Sequence, residues 1–116
     1  MIQHAAIEVR ADDVEACVRF WALLGFAQVP APPALAERST WVQAGPTQIH
    51  LLYADEPVVA PEGHVAVVVG DYEATLGALR EAGFAPQPRT EHWGSPRAFV
   101  RSPSGHRVEL MAAAPA

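Results

Sequence analysis

Gly63-His64-Val65-Ala66-Val67-Val68-Val69-Gly70-Asp71 decides how the chain is read, because it repeats Gln3-His4-Ala5-Ala6-Ile7-Glu8-Val9 at an offset of 60 residues. Each copy is a short apolar strand opening on a histidine. Each is followed by an acidic helix start, a helical run, a Gly-Phe-Ala exit and a hairpin. The hairpins end in Ile49-His50-Leu51-Leu52 and in Val108-Glu109-Leu110-Met111, with His50 and Glu109 offset by 59 residues. Four side chains able to bind a metal thus occupy two matched positions in each of two repeats.

Working outward, residues 2–9 read as a strand. Asp12 is placed to cap a helix, with Glu15 three residues on as in a capping box. Val14, Cys17, Val18, Trp21 and Leu24 recur at helical spacing and predict an apolar face. Gly25 ends the helix and residues 26–29 form a second strand. Pro30, Pro32 and Pro33 predict a stiff loop without helix. Residues 39–44 and 48–53 predict a hairpin turning at Gly45-Pro46. A loop of 44–47 would set Trp41 across from His50.

The second half repeats this plan. A strand over 64–69 leads to Asp71 as a cap, and Tyr72, Leu76 and Leu79 mark a helix face ending at Gly83. A strand begins at Phe84-Ala85, and Pro86 and Pro88 begin a loop. Residues 97–101 and 106–111 form the last hairpin. The tail from 112 reads as frayed. His92 and Trp93 fall in a loop, and His106 reads as a surface residue.

The expected fold class is therefore α+β: two pseudo-symmetric βαβββ modules forming a curved eight-stranded mixed sheet around a metal-binding cleft. One module exposes a sheet with a helix on only one face, so the other face must be buried or used. The 116 residues suit a single domain, with module one at 1–54, a linker at 55–62, module two at 63–112 and a tail at 113–116.

Composition narrows the function classes. Half the residues are hydrophobic, and the net charge is −5. All eight basic residues are arginines, scattered singly along the sequence, which argues against nucleic-acid binding. The absence of lysine excludes Schiff-base chemistry. Cys17 has no partner for a disulfide and lies on the apolar helix face, the place of a buried thiol. No signal-peptide pattern and no membrane-length apolar run is present, so a cytoplasmic, membrane-free protein is expected.

His4, His50, His64 and Glu109 form the candidate ligand set. Imidazoles with a carboxylate suit a borderline divalent ion such as Zn, Ni, Co, Mn or Fe(II). His4, His64 and Glu109 alone would make a two-histidine, one-carboxylate triad with open positions, as catalysis requires. Glu109 and His50 are the candidates for moving a proton, and Glu8, on the same strand face as His4, is a further one. Trp41, Leu52, Ala66, Val68 and Met111 are expected to line a substrate pocket, with Arg107 placed to grip an anionic substrate.

The pattern resembles the vicinal oxygen chelate superfamily, which includes glyoxalase I, methylmalonyl-CoA epimerase, fosfomycin-resistance transferases, extradiol dioxygenases and bleomycin-binding proteins. The resemblance rests on His4-Ala-Ala-Ile-Glu-Val and on Asp13 with Arg19-Phe20-Trp21-Ala22-Leu23-Leu24-Gly25-Phe26. It extends through Gly63-His64-Val65-Ala66-Val67 and Ser102-Pro103-Ser104-Gly105-His106-Arg107-Val108-Glu109-Leu110. It implies ligands at the positions of His4, His50, His64 and Glu109, and a homodimer. Departures bear on activity. Glyoxalase I has an arginine where this chain has Glu8 and an asparagine where it has Ala54, the epimerase has glutamine at the position of His50, and Ala6 replaces the hydroxyl residue of fosfomycin transferases. Three readings follow: a metal-dependent lyase or isomerase acting on a small oxygenated substrate, an extradiol-type dioxygenase with His50 as acid/base, or a metal-free drug- or metabolite-binding protein.

Overall fold

A computed structural model describes residues 1–116, which divide into two compact units, Met1–Val59 and Ala60–Ala116. The eight strands fall into two four-stranded mixed sheets.

In the first unit, β1 (His4–Val9) runs parallel to β4 (Thr47–Tyr53). β4 pairs antiparallel with β3 (Ser39–Ala44), and β3 with the short outer strand β2 (Ala27–Val29). Side chains alternate across a strand, so each sheet has two distinct faces. One face carries Val9, Val42, Ile49 and Leu51, all essentially buried. It forms a core with Cys17, Phe20 and Trp21 of helix α1 (Val14–Leu23). Full burial of such a side chain contributes about 1.5–3 kcal/mol. Trp21 meets Phe20 and Phe26 edge to face, with centroids 5.6 and 5.2 Å apart. Cys17 is buried and free, as its place on the apolar face predicts.

The second unit repeats the order. β5 (Val65–Val68) is parallel to β8 (Arg107–Met111). β8 pairs antiparallel with β7 (Arg97–Arg101), and β7 with outer β6 (Gln87–Arg89). Tyr72, Leu76 and Leu79 of α3 (Tyr72–Glu81) are buried, and so are Ala98, Val100, Val108 and Leu110. The Asp71 side chain accepts from the Ala74 N–H at 3.0 Å, the expected cap. Both long helices exit through a glycine with positive φ, Gly25 at 96° and Gly83 at 93°, where a side chain would be strained.

Several local expectations need correction. Asp12 and Glu15 form no capping box: residues Ala11–Asp13 make a 3-10 turn, and α1 starts beyond it without a side-chain cap. The proline-rich loop contains a one-turn helix, α2 (Pro33–Ala36), because a proline at the first helical position gives up an N–H that needs no helical partner. Phe84 and Ala85 lie outside the following strand, and Pro88 lies within it, which an outer strand tolerates. The tail is held rather than frayed at its start: Ala112 N–H donates to the Pro96 carbonyl at 3.0 Å and Trp93 Nε1–H to the Ala113 carbonyl at 3.1 Å.

No helix is long and apolar enough to cross a membrane.

Candidate functional site

In each unit the sheet face opposite the core carries the candidate residues. On the first unit's open face, registers align Trp41 with His50, as the 44–47 loop predicts, and His50 with Ala6. His4 lies two residues before Ala6, on the same face. The three rings stack in order. Trp41 and His50 have centroids 3.8 Å apart with planes 3° apart, and His50 and His4 are 4.0 Å apart with planes 13° apart. His50 is buried and His4 is exposed.

Hydrogen bonds fix which ring nitrogens carry protons. Gln48 Nε2 donates to Gln43 Oε1 at 2.8 Å, and Gln48 Oε1, which can only accept, lies 2.8 Å from His50 Nε2. His50 therefore carries its proton on Nε2. His4 Nδ1 lies 2.7 Å from Gln3 Oε1, so it donates there and leaves Nε2 with a free lone pair. Burial and the neighbouring His4 lower the pKa of His50 from its ordinary value, which favours the neutral ring. Glu8, on the same face, accepts the Val58 N–H at 2.9 Å and so anchors the segment that leads out of the unit. Leu52 is partly exposed there.

The matching face of the second unit is built differently. His64 Nδ1 donates to the Glu62 carbonyl at 2.9 Å, and Nε2 lies 3.1 Å from Glu109 Oε1. The other carboxylate oxygen, Oε2, accepts from Arg97 Nε at 2.8 Å. Arg97 also donates to the Thr90 carbonyl at 2.9 Å, and Glu109 is 7% exposed. The ring of Phe99, opposite Glu109 in register, meets His64 edge-on at 4.9 Å. Ala66 and Val68 are exposed on this face, Arg107 is half-buried and Met111 is buried.

His64 and Glu109 suit a divalent ion. Both nitrogens of His64 face oxygens, a carbonyl and a carboxylate, and a cation between Nε2 and Oε1 would be met by a lone pair from each. Holding a histidine through Nδ1–H on a carbonyl is the usual support of a metal-ligating ring. Donors 3.1 Å apart are close enough to share one ion at about 2.1 Å from each. The stacked rings of His4 and His50 suit a shared ion poorly, because lone pairs lie in the ring planes and parallel planes do not converge. Within neither unit are three His, Cys, Asp or Glu side chains gathered as a metal-binding group.

Sequence reasoning named Arg107 but missed Gln43, Gln48, Arg89, Arg97 and Arg101. The signal for the arginines was the alternation Arg97-x-Phe99-x-Arg101, which puts all three on the face of Glu109. His92 and Trp93 lie in the loop before β7, with the Arg97 guanidinium 6.0 Å from the Trp93 ring.

The chain belongs to the Glyoxalase/Bleomycin resistance protein/Dioxygenase superfamily, which residues 2–110 match. No curated protein matches the chain. Among solved structures, a glyoxalase family protein from Bacillus anthracis is 23% identical with a TM-score of 0.85, covering 96% of this chain and 93% of that one. A lactoylglutathione lyase from Agrobacterium tumefaciens is 18% identical with a TM-score of 0.72, covering 96% and 92%. A fosfomycin resistance protein from Mesorhizobium loti is 16% identical with a TM-score of 0.76, covering 98% and 92%. At these identities the likeness concerns the fold.

Proposed function

We propose that the chain is a metal-dependent enzyme of the glyoxalase-like type, carrying out isomerase or lyase chemistry on a small oxygenated substrate. The observation that carries this reading is the arrangement of His64, with Nδ1 held by the Glu62 carbonyl and Nε2 turned toward Glu109 Oε1 at 3.1 Å. His64 and Glu109 would hold the ion, with His4 Nε2 as the proposed third donor of the set, in a protein expected to act as a homodimer. A divalent ion supplies Lewis acidity toward adjacent substrate oxygens.

The chain's own residues do the rest. Arg97 holds Oε2 of Glu109 and so leaves Oε1 to act as a single-oxygen donor. His50, the fourth member of the expected ligand set, is read instead as the proton acceptor. It is neutral near pH 7, and with Nε2–H given to Gln48 its basic atom is Nδ1. Trp41 stacks on His50 and fixes its plane. Glu8 is read as an anchor for Val58 rather than as a base. Trp41, Leu52, Ala66 and Val68 would offer apolar surface to the substrate, whereas Met111, expected among them, is buried.

The test is elemental analysis of purified, untagged protein. Stoichiometric Zn, Ni, Co or Mn that is lost in His64→Ala and kept in His50→Ala supports the reading, and aldehyde and epimerisation screens then seek the substrate. Iron with oxygen uptake on catechols would replace it with the dioxygenase reading. A second reading, a metal-free binding protein, is favoured by the Arg97–Glu109 ion pair, which already neutralises the carboxylate at 2.8 Å. Protein that takes up no metal after reconstitution would establish that reading over the first.

A further inference from the structure

Registers place ten side chains on the open face of the second sheet: Ala66 and Val68 from β5; Arg107, Glu109 and Met111 from β8; Arg97, Phe99 and Arg101 from β7; Gln87 and Arg89 from β6. His64, just before β5, joins them through its contacts with Glu109 and Phe99. Four of the chain's eight basic residues are therefore gathered on one face, against one carboxylate. That carboxylate, Glu109, is taken by Arg97 and His64. Arg101 bonds only to its own turn, at the Gly105 carbonyl 3.0 Å away. Arg89 and Arg107 take part in no ion pair.

The arginines also oppose one another. Arg89 is the cross-strand partner of Arg97, and Arg101 of Arg107. Like charges directly opposite destabilise an antiparallel pair. The guanidinium carbons of Arg107, Arg97 and Arg89 lie 3.9, 5.2 and 5.9 Å from the centroid of Phe99. Contact with the ring face offsets part of the repulsion. The net charge of the whole chain is −5, so this concentration of positive charge is not a general property of the surface. A cleft of about 400 Å³ opens beside Phe99, lined by Gln87, Arg89, Arg101 and Arg107 together with Gly83 and Phe84.

We infer that this cleft binds a small, multiply charged oxyanion, such as the phosphate or dicarboxylate end of a metabolite. Planar guanidinium forks match such oxygens with paired hydrogen bonds, and an anion between opposed arginines turns their repulsion into attraction. The site depends on arginines that do not touch Glu109. It deepens the proposed function by naming the charged end of the substrate, and rests on that function only for calling the ligand a substrate.

The test is calorimetric titration of EDTA-treated protein with inorganic phosphate, malonate, acetate and chloride. Saturable binding of phosphate or malonate at least tenfold tighter than of acetate and chloride is expected, weakening as salt is raised. Tighter phosphate would indicate a phosphorylated ligand, and tighter malonate a dicarboxylate. Arg107→Gln and Arg89→Gln should each weaken binding at least tenfold, while Arg38→Gln in the first unit leaves it unchanged. Circular dichroism checks the fold of each variant, and exposed Arg89 provides the readout if Arg107→Gln unfolds. No preference over acetate and chloride, or equal affinity in a folded Arg89→Gln variant, overturns the inference. Because the titration is made without metal, its result is separate from that of the elemental analysis.

Discussion

The two repeats share a backbone plan and use their open faces in opposite ways. Superposing the registers pairs Trp41 with Phe99, His50 with Glu109, Gln43 with Arg101, Gln48 with Arg107 and Ser39 with Arg97. In the first unit these positions hold neutral amides and rings, and an amide relay ends on a neutral histidine. In the second they hold guanidiniums and a carboxylate. The core faces stay alike because each must cover one helix. The open faces carry no such duty, and there the side chains have diverged. In a repeated fold, asymmetry between equivalent positions points to chemistry more directly than the positions shared by both halves.

The largest contrast expected is in the cores. Trp21→Ala should destabilise the chain by about 4 kcal/mol and Leu79→Ala by about 3 kcal/mol, measured by urea denaturation. Equal and small losses would mean that the helices do not anchor their sheets. Trp21→Phe tests a finer point, because Nε1 of Trp21 is buried without a hydrogen-bond partner. Losing an unsatisfied donor offsets the lost volume, so this variant should lose less than 1.5 kcal/mol.

Next in size is the contrast between Arg97 and its counterpart Ser39. Arg97→Ala leaves a buried carboxylate oxygen unpaired and should cost about 3 kcal/mol. Ser39→Ala removes one hydrogen bond, to the Leu35 carbonyl at 2.8 Å, and should cost about 1 kcal/mol. Denaturation midpoints that rank the two in reverse would contradict the assigned burial of the Glu109 pair.

The smallest effect concerns pH. The pKa of His50 is lowered in the folded chain by burial and by His4, so between the folded and unfolded values the unfolded chain binds more protons. Stability from this source is present above about 6.5, the unfolded value, and is lost as pH falls through the folded one. Thermal melts from pH 7.5 to 5 should show a steeper acid loss in the native chain than in His50→Gln. Parallel curves would remove His50 as the neutral member of the stack.

Much of this was legible from the sequence because a repeat offset is independent of local propensity. It aligned His4 with His64 and His50 with Glu109, and the two-residue hairpin turn then set Trp41 opposite His50. The matching helix faces were equally plain, since Cys17 and Trp21, like Leu76 and Leu79, recur at helical spacing. What escaped depends on side-chain reach. Arg97 meets Glu109 diagonally, from a position whose direct partner is Met111. The stack of His4 on His50 depends on a parallel register that places His4 beside Gln48. Neither follows from periodicity. The turn of helix at Pro33 and the late start of β6 were missed because proline is both a breaker of structure and, at first helical or outer-strand positions, compatible with it.

Pro88 has a consequence for how the folded protein behaves in a crowded solution. It lies in the outermost strand of its sheet, a three-residue segment whose last member is Arg89. An outer strand with its donors free is a template onto which another chain can add, copy after copy. Here the middle residue has no N–H to offer and the next brings a positive charge that a second copy would have to meet with its own. The same short strand that frames the arginine cleft therefore also stops the sheet from growing outward into a fibril.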